Sequence, residues 1–189
     1  MKTVYHDFLI QEDYMMNFKK TVFVVLVLVM SLVANCSTSA KRIGDFQAPN
    51  YSTIKFNEKL AVAYLPEADA EIKSGKVFNE ENFLNYYKSK LKEKGVISDK
   101  AKETIEITIN DVRFRSEGVA IWIGTLAGTD SIDLDITIKD AKSKIIDQHK
   151  ITISYALGGF AGGPNSVRSE YFYKKITNLT LQQLGYPAE

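Results

Sequence analysis

Two aspartates and one histidine are the residues whose types and spacing come nearest to reaction chemistry. Asp133 and Asp135 stand two apart in an alternating run, so an extended strand projects both carboxylates from one face. General acid–base catalysis uses carboxylate pairs of this kind. The alternation favours another interpretation, in which both aspartates lie on the solvated face, with Lys150 of the next strand roughly across from Asp135. We therefore predict no catalytic role for the pair.

The other candidates for chemistry are equally weak. His149 lies near the middle of a predicted strand, with no serine, cysteine or second histidine at a suggestive spacing, so we expect a structural or exposed histidine. No Gly-x-Ser-x-Gly motif occurs. The glycine-rich run ending at Gly163 continues with Pro164, not with the lysine of a phosphate loop. With two histidines and one cysteine, a metal site is not expected. The sequence predicts a protein without enzymatic activity or cofactor.

Composition narrows the class of protein further. The 189 residues are 45% hydrophobic and 25% charged, which fits one folded domain. The 24 basic and 23 acidic side chains leave a net charge of +1. Nucleic-acid binding needs a clustered basic surface, and no such cluster is visible.

The first 35 residues resemble an export signal. An apolar run from Thr21 to Ala34 follows Lys19 and Lys20. It has the length of a signal-peptide core and is shorter than the roughly 20 residues that a membrane-spanning helix needs. Residues 1–15 are polar and precede the basic start of such a signal. We predict that they are an overlong gene start, with a short native extension as the alternative.

The apolar run ends at the only cysteine of the chain. Val33-Ala34-Asn35-Cys36 resembles a bacterial lipobox, at which signal peptidase II cleaves before a cysteine that carries diacylglycerol. The resemblance implies that residues 16–35 are a lipoprotein signal peptide and that Cys36 is the lipidation site. An uncleaved anchor helix with an incidental cysteine is the alternative. Ser37 resembles the outer-membrane-directed class, which implies a cell-envelope protein held in the outer membrane and facing the periplasm or the surface.

Beyond the cysteine, the sequence predicts a tether and then one domain. Residues 36–57 are rich in small polar residues, which predicts a lipidated tether. Residues 58–189 are predicted to form the domain. Residues 59–65 form a continuous apolar run, which favours a strand buried in the interior of a sheet. Residues 67–77 are polar and predict a loop.

Periodicity predicts the remaining elements. A helix is expected from the cap Asn79 to Gly95, and a closing helix after a cap at Asn165 or Ser166. Alternating runs predict a strand over residues 104–110 and a hairpin over residues 131–155. We predict an α+β fold with two layers: an antiparallel or mixed sheet of about four strands, with two helices packed on one face. The lysines near the end of the first helix fit a solvated face better than an anionic-lipid or glycan patch.

Two glycine-rich apolar stretches, residues 118–128 and 156–164, flank this hairpin. Pairing of the hairpin about Lys142 and Ser143 brings them together at the end of the sheet opposite the turn. One interpretation is packing, in which the glycines let the chain curve and the tryptophan fills the core. The other is a surface that contacts a membrane or a partner. Its candidate residues are Trp122, Leu126, Leu157 and Phe160.

From Asn110 onward, the pattern resembles a family of uncharacterised bacterial envelope lipoproteins, a domain of unknown function. The resemblance lies in Gly124 to Gly128, the alternating strand, Asp140-Ala141, the return strand, Gly158 to Gly163 and the closing helix. The order of elements is also distantly similar to the TolB N-terminal domain and to the curli-secretion lipoprotein. These are likenesses of fold and imply little about function.

The sequence therefore predicts a lipid-anchored envelope lipoprotein without catalytic function. Its partners would be the membrane, through the acyl chains of Cys36, and an envelope protein or further copies of itself. The alternative is a small-ligand or glycan-binding periplasmic module. That alternative requires a concave polar pocket lined with aromatic residues such as Tyr86, Tyr87, Trp122 or Tyr155.

Overall fold

The computed structural model describes residues 38–187 apart from residues 48 and 75. Its fold is α+β, as predicted. The strands are β1 (Ser39–Arg42), β2 (Phe56–Asn57), β3 (Ala61–Tyr64), β4 (Ile97–Ser98), β5 (Thr104–Arg113), β6 (Asp130–Lys139) and β7 (Ile145–Tyr155). The helices are α1 (Pro66–Ser74), α2 (Glu80–Glu93), α3 (Glu117–Trp122), α4 (Gly159–Gly162) and α5 (Asn165–Gln183), with 3₁₀ turns at Tyr51–Thr53 and Gly124–Ala127. None of the helices within these residues is long and apolar enough to cross a membrane.

The main sheet has five strands in the order β1-β7-β6-β5-β3. The first four of these pair antiparallel with their neighbours, and β3 pairs parallel with β5. The sheet is therefore mixed, and it has one strand more than the predicted number because β1 was not expected. Strands β2 and β4 form a separate two-stranded parallel sheet.

The β6–β7 hairpin has the predicted register. Asp130 faces Tyr155 and Asp135 faces Lys150. At the turn, Oδ1 of Asp140 accepts hydrogen bonds from the backbone N–H groups of Lys142 and Lys144, at 2.8 and 2.9 Å. Ser143 takes the left-handed conformation, with φ 62°. The turn thus forms without a glycine, because the aspartate side chain supplies the hydrogen bonds that stabilise it.

Alternate residues of the three long strands build the core on one face of the sheet. The buried apolar residues of these strands are Ile105, Ile107, Ile109, Val112, Ile132, Leu134, Ile136, Ile138, Ile151, Ile153 and Tyr155. Helices α2 and α5 add Phe83, Tyr87, Leu91, Phe172 and Ile176 to the same cluster. Each such side chain stabilises the fold by about 1.5–3 kcal/mol through burial. The predicted two-layer packing follows from this shared core.

The strand predicted to lie inside the sheet lies at its edge. Among the described strands, β3 pairs only with β5, and Ala61 and Ala63 are exposed. The prediction was wrong because a short apolar run fits an edge strand as well as a central one when its outward residues are small alanines.

The loop predicted over residues 67–77 is mostly helix α1. Pro66 occupies its first position, where a missing N–H costs nothing, and Glu67 and Asp69 lie in the positively polarised first turn. Lys73 Nζ lies 2.6 Å from Asp69 Oδ2, one turn apart. The polar composition reflects a solvated helix face, and among residues 66–73 only Ala68 is fully buried.

The predicted tether is part of the folded domain over its described residues. Residues 39–42 pair with β7, and Tyr51 and Phe56 are buried in the core. Strand β1 has one small apolar residue, Ala40, and no alternating apolar pattern, so its position depends on the edge that β7 offers. The predictions for residues 1–35 and for Cys36 lie outside the described residues.

Of the two helix caps predicted from the sequence, one is confirmed and the other is wrong. Asn79 caps α2 as predicted, since its Oδ1 accepts from the N–H of Asn82 at 2.9 Å. Helix α5 begins after Pro164, whose side chain cannot cap, so neither Asn165 nor Ser166 is the cap. Instead, Oε1 of Glu117 accepts from the N–H of Asn165 at 3.0 Å. A side chain from helix α3 therefore accepts the hydrogen bond of a backbone N–H at the start of α5.

Candidate functional site

The two glycine-rich segments meet at one end of the sheet, as the hairpin register predicted. The first forms α3 and the following 3₁₀ turn, and the second forms the chain from Leu157 through α4. The rings of Trp122 and Phe160 meet edge to face, with centroids 5.5 Å apart and an angle of 77° between their planes. We call Trp122, Ile123, Leu126, Leu157 and Phe160 the apolar tip.

The apolar tip is exposed to solvent. The exposed fractions are 77% for Trp122, 51% for Ile123, 76% for Leu126, 64% for Leu157 and 77% for Phe160. The interpretation in which the tryptophan fills the core is therefore wrong. Contiguous apolar surface of this kind marks an interface more often than it serves stability.

Glycines allow the two backbones of the tip to touch. A Cβ atom on Gly158 would lie 2.3 Å from the Cα of Gly124 and 2.6 Å from the carbonyl oxygen of Ala120. A Cβ atom on Gly163 would lie 2.8 Å from the Cα of Ile121. These distances are far below ordinary contact, so the glycine composition of both segments is a packing requirement.

A cluster of buried charged side chains inside the domain bonds to both segments of the tip. Arg115 Nη2 lies 3.0 Å from Asp130 Oδ2, and Arg168 Nη1 lies 3.0 Å from Asp130 Oδ1. Arg115 also donates from Nη1 to the carbonyl of Gly124, at 2.8 Å, and from Nη2 to the carbonyl of Leu157, at 3.0 Å. One guanidinium thus bonds to both segments of the tip and fixes them to the first residue of β6.

This cluster was not predicted, although the residue pattern of β6 and α5 contains a signal for it. Asp130 has the same parity as Ile132 and Leu134, which puts it on the buried face of β6. Arg168 precedes Phe172 by four residues, which puts both on one side of α5. A charged residue in phase with core residues indicates a buried ion pair.

A second cluster, buried except for Arg42, joins β1 and the first 3₁₀ turn to β7. Asp147 accepts hydrogen bonds from Arg42 Nε at 2.8 Å and from Arg42 Nη2 at 2.9 Å. The hydroxyl of Tyr51 donates to the same carboxylate, and Nε2 of His149 lies 3.0 Å from its Oδ2. Asp147 and His149 share the parity of Ile151, so the alternation of β7 could have predicted their burial.

Charge and burial determine the protonation of this cluster. Burial alone would raise the pKa of Asp147, but hydrogen bonds from Arg42 and Tyr51 bring it below its ordinary value. Burial lowers the pKa of His149 in spite of the neighbouring carboxylate. The imidazole is thus structural, which is one of the two roles predicted for it, and it favours the neutral form.

The aspartate pair on β6 lies on the face of the sheet opposite the core. Asp133 and Asp135 are both partly buried. Their cross-strand neighbours include Asp111 and Thr152 for the first and Thr108 and Lys150 for the second. Within residues 38–187, no group of three or more His, Cys, Asp or Glu side chains is placed to hold a metal ion.

A cleft of about 480 Å³ lies beside the Asp147 cluster. It is lined by Arg42, Pro49, Asn50, Tyr51, Ser52, Lys55, Gln182, Gln183, Leu184, Gly185 and Tyr186. Arg42 is engaged with Asp147, and Lys55 Nζ donates to the carbonyl of Gly95. The four aromatic residues predicted for a ligand pocket do not line this cleft.

Comparisons with known proteins give distant likenesses of structure. No protein-family model and no curated protein matches the chain. The chain is similar to a PelC dodecamer from Paraburkholderia phytofirmans, a leucine-to-methionine variant, with 15% identity and a TM-score of 0.43, over 76% of this chain and 97% of that one. A second PelC dodecamer from the same organism gives 12% identity and a TM-score of 0.42, over 79% and 99% of the two chains. Likenesses at this level carry no argument about function or assembly.

Proposed function

We propose that this protein is a lipid-anchored lipoprotein of the bacterial cell envelope, acylated at Cys36, with a domain that has a binding role and no catalytic one. The observation that carries the binding role is the exposed apolar tip. The proposal of a lipid anchor is supported by the lipobox-like sequence that ends at Cys36. An outer-membrane location, with the domain facing the periplasm or the surface, belongs to the same proposal.

The construction of the tip supports a binding role. The protein keeps five large apolar side chains in water, and it holds their backbones with Arg115 from inside the domain. Exposure of this kind has a cost in solubility and contributes little to folding. A covering surface would remove that cost, so the tip is the natural place for a contact in envelope assembly.

The intact mass of the protein extracted from its host membranes tests the anchor. We expect a chain that begins at Cys36 and carries acyl chains. The matched control is Cys36→Ser, which keeps the size of the side chain and removes the thiol. We expect it to lose the acyl mass and the membrane association. An unmodified mass that retains residues 21–34 would overturn the proposal in favour of an uncleaved anchor helix.

A small-ligand or glycan-binding module is the second candidate function. The observation that favours it is the cleft beside the Asp147 cluster, because the rings of Tyr51 and Tyr186 and the amides of Gln182 and Gln183 are the kinds of group that bind sugars. Equilibrium binding of envelope glycans to wild type and to Gln182→Ala/Gln183→Ala tests it. Equal binding by both proteins would exclude the cleft.

A further inference from the structure

The end of the sheet at which the apolar tip lies is also the end from which the anchor leaves the domain. Strand β1 runs antiparallel to β7, with Arg42 facing His149 and Ser39 facing Thr152. Following β1 back toward its first residue therefore leads toward Tyr155, the last residue of β7. Leu157 and Phe160 of the tip come directly after that residue.

Only a short stretch of chain separates Cys36 from this end. Cys36 precedes Ser39 by three residues, and three residues can span at most about 10 Å. Thr152 and Tyr155 are also three residues apart, on an extended strand. An acyl anchor on Cys36 thus has enough reach to lie level with the end of β7, and too little to lie near the hairpin turn at Asp140.

The two segments that form the tip have no charged side chain. Residues 118–129 and residues 151–167 contain no Asp, Glu, Lys or Arg. The exposed residues of the tip are one tryptophan, one phenylalanine, two leucines and one isoleucine, which are residue types that bury well at the boundary between headgroups and acyl chains. This surface suits an uncharged apolar medium and offers no ionic complement to a charged protein partner.

We infer that the apolar tip is seated in the lipid bilayer that holds the acyl chains of Cys36. The inference rests on the proposed acylation, which brings the tip to the membrane surface and keeps it there. Lipid anchoring and apolar contact are then two signals at one end of the domain, a combination that holds more firmly than a single one. The hairpin turn and the polar face of the sheet remain available to partners.

The single tryptophan of the chain makes this inference measurable, because its fluorescence reports on the tip alone. The acylated mature protein, which is expected to begin at Cys36, is extracted from membranes and reconstituted in phosphatidylcholine vesicles. The same vesicles are then made with acyl chains brominated near the glycerol, since bromine quenches tryptophan over a short range. We expect a blue-shifted emission and a loss of about half or more of its intensity in brominated vesicles, since such surfaces sit roughly 5–10 Å into the boundary.

Two variants separate the tip from other apolar surface. Leu126→Ser combined with Leu157→Ser leaves Trp122 in place and removes the apolar side chains beside it, and we expect most of the quenching to be lost. Ile145→Ser is the control, because Ile145 is an exposed apolar residue beside the hairpin turn, at the other end of the sheet. We expect its quenching to equal that of the wild type.

The outcomes distinguish this inference from the proposed function. The mass of the reconstituted protein shows separately whether it is acylated. Acylated protein whose emission is neither shifted nor quenched would overturn the seating of the tip and leave the anchor intact. Shielding of Trp122 from aqueous acrylamide without bromine quenching would also overturn it, because the tip would then be covered by protein.

Discussion

Nη1 of Arg168 lies 3.0 Å from Oδ1 of Asp130, and neither side chain has any contact with solvent. Arg115 approaches the same carboxylate from another side, so two guanidiniums share one negative charge. Buried ion pairs add little to stability compared with apolar packing, but loss of one member leaves uncompensated charge in the interior. The cluster thus makes the exposed tip depend on a single aspartate.

Asp130→Asn tests this dependence. The substitution leaves both guanidiniums buried without a counter-charge, so we expect the free energy of unfolding to fall by about 3–5 kcal/mol. Urea denaturation followed by circular dichroism measures it. The control is Lys139→Met, which breaks the partly exposed pair with Glu106 and is expected to cost about 0–1 kcal/mol. Equal costs for the two variants would contradict the argument.

Gly158→Ala tests the contact between the two backbones of the tip. The added methyl group would meet the Cα of Gly124 at 2.3 Å, so we expect a loss of about 1–3 kcal/mol in the free energy of unfolding. Gly118→Ala is the matched control, since its methyl group would meet nothing within 4 Å in helix α3. It is expected to stabilise the protein by about 0.5–1 kcal/mol. A tolerated alanine at position 158 would show that the segments can separate.

The pH dependence of stability should reflect His149. In the folded protein, the pKa of His149 is lowered from 6.5. Below that pH, the unfolded chain therefore binds a proton at this residue more readily than the folded chain does. Stability therefore falls as the pH falls from 6.5 toward the folded pKa, with a slope of at most about 1.4 kcal/mol per pH unit. The depressed pKa of Asp147 adds a further loss, which begins only below its ordinary value of 3.8. Urea unfolding of wild type and His149→Gln, at pH about 7.5 and about 5.5, measures the difference. The same slope in both proteins would rule out His149 as its source.

Arg42→Met should change the titration of the same histidine. The guanidinium repels the charged imidazole, and its removal leaves Asp147 without its strongest partner. We expect the pKa of His149 to rise in the variant, as measured by NMR titration of the ring protons. Lys41→Met is the control, because Lys41 is the exposed neighbour of Arg42 on β1. An unchanged pKa in Arg42→Met would mean that Arg42 and His149 act on Asp147 independently.

Two aromatic substitutions should separate surface from core. Trp122→Ser removes an exposed ring, so we expect the free energy of unfolding to change by no more than about 0.5 kcal/mol. Phe172→Ala removes a fully buried ring of α5 and is expected to cost about 3–5 kcal/mol. Thermal unfolding of both variants in aqueous buffer compares them. A large loss in the free energy of unfolding of Trp122→Ser would indicate that Trp122 has a structural role.

Local patterns predicted the elements whose stability is local. Helix α2 has its own cap and apolar stripe, and the hairpin has alternation on both strands and a turn whose aspartate hydrogen-bonds the backbone. These signals lie within a few residues of the structure that they specify. The two-layer packing followed because each element shows one apolar face.

The features that sequence analysis missed depend on distant parts of the chain. Strand β1 has no pattern of its own and exists because β7 offers a free edge. The exposure of Trp122 could not be predicted, because an apolar glycine-rich stretch has the same composition in a core and on a surface. The burial of Asp130 and Asp147 was detectable by parity within their strands, but their pairing with Arg168 and Arg42 depends on the tertiary fold.

The pairing of β1 with β7 also constrains how the chain can fold. Arg42 and Asp147 are 105 positions apart in sequence, so the contact closes a very long loop. Contacts of this length form slowly, since the chain loses much entropy before the contact is made. Strand β1 is synthesised first and cannot pair until β7 exists. Until β1 has paired with it, β7, a strand of eleven residues, presents an open edge on which another chain can add a strand. The first residues of the domain therefore protect its last strand from aggregation.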